Sequence, residues 1–280
     1  MTIRDVINQY KDKFENIQDI YSIIKYVTEM DNLEISLNKE LELPEEYKDK
    51  IISSLEKILS DNYPLQYITH LQPFYNEQYY VDENVLIPRQ DTEILVEKAI
   101  DYIRNENITN AIDLCTGSGC IGISIARNSN IEKVILVDVS QKALEIAKRN
   151  IEDNYIEDKV STIKSNLLDE IIKSGIKTDM IVSNPPYIKS KDMASLDENV
   201  KYEPTLALDG GVTGMDFYEK IVEQAKQVLN NNGLLIFEIG YDELEQMKEL
   251  ISNNKEYTML ESVKDYGGND RVVVCRFQQM

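Results

Sequence analysis

Ile112-Asp113-Leu114-Cys115-Thr116-Gly117-Ser118-Gly119-Cys120-Ile121-Gly122 decides how the rest of this 280-residue chain is read. An apolar strand runs into a glycine turn and then into a helix that carries Ile121, Ile125 and Ala126 on one face. Gly117, Gly119 and Gly122 form a G-x-G-x-x-G pattern. Such a turn needs unusual backbone angles, and a ligand must approach the chain with no Cβ in its way. Backbone N–H groups and the helix N-terminus then line the pocket. Nineteen residues beyond Gly119, at the end of the next apolar run, Asp138 in Val137-Asp138-Val139-Ser140 stands where a carboxylate accepts both hydroxyls of a ribose. The pair predicts an adenosine-containing cofactor, either a dinucleotide or S-adenosylmethionine.

Working outward, apolar runs alternate with helical patterns from Thr92 onward. Ala111 to Leu114, Val134 to Val137, Val160 to Ile163, Met180 to Val182 and Leu234 to Phe237 read as five buried strands of a doubly wound parallel α/β sheet. Tyr257 to Val263 and Arg271 to Phe277 break that rhythm, because only Lys264 to Asp270 separates them, and read as an antiparallel pair at the sheet edge. Upstream, residues 1 to about 70 hold no glycine and space Ile20, Ile23, Ile24, Val27 and then Ile51, Ile52, Leu55, Ile58 and Leu59 at helical period. Pro73 to Pro88 reads as a hairpin linker with Phe74 to Val81 in its strands. The expected organisation is a helical domain over 1–72, a linker over 73–90 and a cofactor-binding α/β domain over 91–280.

The chain carries 30 basic and 50 acidic side chains, net −20, which argues against attachment to nucleic acid by bulk electrostatics. Cys115, Cys120 and Cys275 cannot all pair, and with a single histidine, His70, no metal site is expected. His70 lies in a stretch without a nucleophile, so triad hydrolysis is disfavoured. The charged start and the lack of any apolar run of about 18 residues point to a cytoplasmic protein without a membrane partner.

Ser183-Asn184-Pro185-Pro186-Tyr187-Ile188 follows the fourth strand and decides the chemistry. Two consecutive prolines cannot continue a central ladder, so the chain leaves the sheet rigid and extended. In a doubly wound order this places Asn184 beside the glycine turn, at the carboxyl edge where ligands bind. The Asn184 side-chain oxygen and the Pro185 carbonyl are hydrogen-bond acceptors there, and the Tyr187 ring offers a flat face. Asp113 to Gly119, Asp138 and Asn184-Pro185-Pro186-Tyr187 resemble the motifs of S-adenosylmethionine-dependent methyltransferases that act on planar nitrogen.

The resemblance extends to Pro64 to Ile68, Leu86 to Glu93, Tyr202 to Gly211 and Gly268 to Val274, which are similar to segments of the peptide chain release factor N5-glutamine methyltransferases. It implies a class I Rossmann-like methyltransferase domain preceded by a small helical domain and a hairpin. It also implies S-adenosylmethionine as cofactor and, as substrate, the glutamine of the Gly-Gly-Gln tripeptide in bacterial class 1 release factors, and hence a role in translation termination. By the same resemblance Cys115, Thr116, Gly117, Ser118, Gly119, Asp138, Leu167 and Asn184 contact the cofactor. Asn184, Pro185, Pro186 and Tyr187 receive the glutamine, with Asn184 and Tyr187 catalytic. Cys115 stands where the family usually has glycine, a change tolerable only if its backbone angles are ordinary, and Leu167 stands where some relatives put an aromatic ring. The rival reading is an RNA or DNA amino methyltransferase. It would need a nucleic-acid-binding module, which the short acidic helical segment does not supply. The expected protein is a monomer that binds no nucleic acid stably.

Overall fold

The computed structural model describes residues 1–279 and divides into two compact units. The first comprises Met1–Leu71 and Leu196–Tyr202. It is built from α1 (Ile3–Tyr10), α2 (Ile17–Thr28), α3 (Asn32–Leu37), α4 (Glu45–Asp61) and α5 (Leu65–Thr69). Side-chain caps fix three of the starts: Thr2 with Asp5 and Asp31 with Glu34 form reciprocal capping boxes, and Asn16 accepts from the Gln18 N–H. The apolar stripe anticipated on α2 and α4 closes the core, with Ile20, Ile23, Ile24, Ile51 and Leu55 fully buried together with Ile3, Val6 and Tyr10 of α1. His70 sits in a left-handed C-cap after α5.

The second unit, Gln72–Ser195 with the chain from Glu203 onward, opens with the hairpin β1 (Gln72–Phe74) and β2 (Glu77–Tyr79). Its strands are shorter than the apolar pattern suggested, because Tyr75 and Asn76 both take left-handed angles (φ 48° and 67°) and close a two-residue turn. The main body then runs α6 (Glu93–Asn105), β3 (Asn110–Leu114), α7 (Cys120–Asn128), β4 (Lys133–Asp138), α8 (Gln141–Asp153), β5 (Val160–Lys164), α9 (Asp169–Lys173) and β6 (Thr178–Ser183). After β6 come α10 (Thr205–Leu208), α11 (Asp216–Ala225), β7 (Leu229–Glu238), α12 (Leu244–Asn253), β8 (Tyr257–Lys264) and β9 (Asp270–Phe277). The strands form one seven-stranded sheet in the order β5-β4-β3-β6-β7-β9-β8, parallel through β7 and antiparallel at the β7–β9–β8 end.

Strand alternation divides the core into two layers. Ala111, Leu136, Val182, Leu234 and Ile236 pack with the α6, α7 and α8 side, and Ile112, Val137, Ile181, Leu235 and Phe237 with the α11 and α12 side. Strand order reverses between β3 and β6, whose last residues Leu114 and Ser183 lie opposite each other. Ligand clefts form at that switch point.

Candidate active site

The glycine turn hangs from a buried carboxyl. Asp113 Oδ2 accepts hydrogen bonds from the Thr116 hydroxyl (2.6 Å) and the Gly122 N–H (2.9 Å), tying both ends of the turn to the last residues of β3. Burial pushes its pKa up to about 7, against the pull of those two donors. A Cβ at Gly122 would lie 2.3 Å from Leu136 Cδ2, so glycine there is what lets α7 pack on the sheet. Between these anchors the chain runs left-handed at Cys115 (φ 61°), Gly117 (φ 54°) and Gly119 (φ 85°). Ordinary angles at Cys115 were the expectation, and the structure overturns it. The turn demands a left-handed residue there, and cysteine adopts the strained conformation that glycine would take freely. A Cβ on Gly117 would meet nothing within 4 Å, so that glycine keeps the approach to the turn open.

In front of the turn lies a largely apolar cleft of about 750 Å³. Of the anticipated residues, Cys115, Gly117, Asp138, Leu167, Asn184 and Pro186 line it. Asp138, at the end of β4, accepts the Gly117 N–H (3.0 Å) on one oxygen and the Ser140 N–H (2.8 Å) on the other, which fixes its carboxylate at the cleft wall. Burial raises its pKa, opposed by these backbone donors. Leu167 reaches the cleft through a left-handed backbone (φ 50°). Thr116, Ser118, Gly119, Pro185 and Tyr187 do not line it. The Thr116 hydroxyl turns inward to Asp113, the Ser118 carbonyl accepts from Asn150 Nδ2 (2.8 Å), and Tyr187 packs against the core layer of β6 and β7, where burial raises its phenol pKa.

The tetrapeptide loop is held from several sides. The Ser183 hydroxyl donates to the Leu114 carbonyl (2.7 Å), locking the ends of β6 and β3 together. Beyond the prolines, Ile188 bonds to the chain around Asp209: its N–H donates to the Leu208 carbonyl (3.0 Å) and its carbonyl accepts from the Gly210 N–H (2.8 Å). A Cβ at Gly210 would stand 2.6 Å from Tyr187 Cα and 2.8 Å from the Pro186 carbonyl oxygen, so glycine at 210 lets this support strand lie directly against the loop. Asn184, half-buried, donates from Nδ2 to Thr92 Oγ1 (3.4 Å).

Residues 90–200 match the family model described as Methyltransferase small domain. A release factor glutamine methyltransferase of Clostridium acetobutylicum is 37% identical over 275 residues, 96% of this chain and 94% of that protein. One of Clostridium botulinum is 38% identical over 259 residues, 92% of this chain and 91% of that one. The chain belongs to the release factor glutamine methyltransferase family. In fold it is similar to the crystal structure of ribosomal protein L11 methylase from Lactobacillus delbrueckii subsp. bulgaricus, with TM-score 0.52 and 20% identity over 74% of this chain and 90% of that one. As a family member it is a class I methyltransferase and uses S-adenosylmethionine. The cleft fits that group: an open approach at Gly117, a fixed carboxylate at Asp138 and an apolar wall at Leu167 and Val139 suit an adenosine.

Several cleft residues escaped the sequence reading. Asn84, Val85 and Leu86, just after the hairpin, and Pro204, Leu206 and Phe217 also form part of the cleft wall. Their common anchor is Glu203, which accepts the Ile87 N–H (3.1 Å) and pairs with Arg89, joining the two segments of that wall. The signal was present in the sequence: both segments carry the family resemblance, and Glu203 is a carboxylate between tyrosine and proline that ends up 5% exposed.

Proposed function

We propose that this enzyme transfers a methyl group from S-adenosylmethionine to the side-chain amide nitrogen of the glutamine in the Gly-Gly-Gln tripeptide of bacterial class 1 release factors. The observation that carries this reading is that one cleft is lined both by Asp138, the carboxylate suited to a ribose, and by Asn184, the amide suited to another amide. When bound, the cofactor supplies a methyl group on a positively charged sulfur that is already a good leaving group.

The chain's own work is positional. A carboxamide nitrogen is a poor nucleophile, because its lone pair is delocalised into the carbonyl. Asn184 Oδ1, at the cleft wall, accepts one N–H of the glutamine amide, which holds the NH2 group with its nitrogen toward the methyl and favours recovery of the lone pair. Methylation would leave the nitrogen with a positive charge, and Asn184 Oδ1 would stabilise that charge until one N–H proton passes to water. Preorganised polar partners of this kind act chiefly through placement and electrostatics.

The test is transfer of labelled methyl to a bacterial class 1 release factor, with the modified peptide mapped by mass spectrometry and total RNA present as competitor. Label on the tripeptide glutamine supports the reading, and label on RNA alone removes it. In the same assay Asn184→Ala should lower kcat by about 10²-fold, the scale for losing one preorganised partner, with a smaller change in cofactor affinity.

A further inference from the structure

Glu238 ends the apolar run Leu234-Leu235-Ile236-Phe237 with a carboxylate, and neither the glycine turn nor the cleft wall calls for one there. It is 2% exposed, and its Oε2 has no hydrogen-bond partner. Parallel register explains where it sits. Ser183 on β6 is opposite Phe237 on β7, so Asn184, just past β6, and Glu238, the last residue of β7, stand side by side. Alternation puts Glu238 on the face of Leu234 and Ile236, the layer packed against α6. The residue before α6 is Thr92, itself 3% exposed, and its hydroxyl oxygen accepts from Asn184 Nδ2. Burial is the largest influence on the Glu238 carboxyl. Asp91 acts in the same sense as burial, whereas Thr92, Arg271 and Asn184 beside the carboxyl favour its ionised form, and the net result is a pKa raised to about 7.

We propose that Glu238 is a positioning residue that fixes which end of the Asn184 amide faces the cleft. This rests on the function proposed above. The logic is one of donors and acceptors. An ionised carboxylate only accepts, whereas a hydroxyl has one proton to give and lone pairs to receive with. With Glu238 ionised, the Thr92 proton is drawn to the carboxylate, and the Thr92 oxygen is left to accept from Asn184 Nδ2. Nδ2 is thereby held inward on the Thr92 oxygen, and Oδ1 faces the cleft, the orientation that can accept an N–H from a substrate amide. Without the carboxylate, Thr92 can equally donate to Oδ1. The amide then turns over and presents its own NH2 to the substrate NH2, so that donor meets donor.

Glu238→Gln, which keeps the shape and removes the charge, tests this at pH 8.5 in the full chain. The expected result is a fall in kcat of about tenfold or more, toward the scale of losing a preorganised partner. The S-adenosylmethionine Kd should stay within about twofold of wild type, because Asp138 and the glycine turn are untouched, and any rise in the release-factor KM should be smaller than the fall in kcat. Combined with Asn184→Ala, the Gln substitution should cost no further kcat, since the group it orients is gone. An unchanged kcat, or a full additional loss in the Asn184→Ala background, overturns the proposal. The second arm needs no substrate: in asparagine-labelled protein the Asn184 side-chain NH2 should give a resonance shifted and protected from exchange in wild type and released in Glu238→Gln. Identical resonances in the two proteins also overturn it. If wild type leaves release factor unlabelled, the functional reading falls, and the resonance comparison still decides the role of Glu238.

Discussion

Cys115 holds a left-handed conformation (φ 61°) that costs an L-residue about 1–2 kcal/mol. The thiol is not the reason, because burial drives its pKa far upward and it stays protonated and unreactive. Its side chain instead packs against the layer of Leu114 and Val137, and that contact offsets part of the strain. Two substitutions separate the terms. Cys115→Gly relieves the strain and loses the contact, so the melting temperature should move by only a few degrees with cofactor affinity kept. Cys115→Val keeps apolar volume but adds a branch at Cβ where φ is positive, and should lower the melting temperature clearly and weaken cofactor binding, read by calorimetry. The glycine pattern around this position was legible in the sequence, and the angle at 115 was not. A residue name carries no φ, and only the strand, the turn and the Asp113 anchor together impose one.

Strands β3, β4, β6 and β7 were legible because a parallel strand buried on both faces reads as a largely apolar run, and β5, a partly buried edge strand, followed from the same strand–helix rhythm. The antiparallel β8 and β9 were legible from the short polar turn between them. The placement of the wall from Glu203 to Phe217 was not, although part of it carried the family resemblance, since it depends on contacts distant in sequence, such as Glu203 with Ile87. That wall carries the support strand at Gly210, which fits against Pro186 and Tyr187 only without a side chain. Because the neighbours there are backbone atoms, they cannot turn aside as a flexible side chain would. Gly210→Ala should therefore push the tetrapeptide loop away from its position, lowering kcat by up to about 10²-fold, the cost of roughly an ångström of misplacement. Cofactor affinity should fall much less, because Asp138 and the glycine turn belong to other elements. Equal losses in kcat and in affinity would show that the segment supports the whole cleft rather than the loop.

At the scale of the whole molecule, the three buried carboxyls Asp113, Glu238 and Glu243 share one consequence. Each is pushed up to about 7, in every case mainly by burial. In the unfolded chain they return to the ordinary range near 4. Between about pH 4 and 7 the folded protein therefore binds more protons than the unfolded one, so the stability these groups contribute is complete below the lower limit and is lost as pH rises through the upper. Asp138 and Glu203, also raised by burial, add in the same sense. Groups shifted the other way, such as Glu106 beside Arg276 and Asp265 under the Asn269 N–H, lose their contribution only in acid and do not oppose the trend at neutral pH. A net charge of −20 reinforces it, since protonation relieves repulsion. The melting temperature of the ligand-free protein should thus fall from pH 5.5 to about pH 7.5 and then level off. Glu243→Gln distinguishes the buried groups from the overall charge. Its side-chain oxygen can still accept the Gly240 N–H, bonded at 2.8 Å in wild type, but it no longer titrates. The variant should show a shallower slope than wild type up to about pH 7, with the difference shrinking as pH falls toward 4. Parallel slopes would assign the whole effect to surface charge.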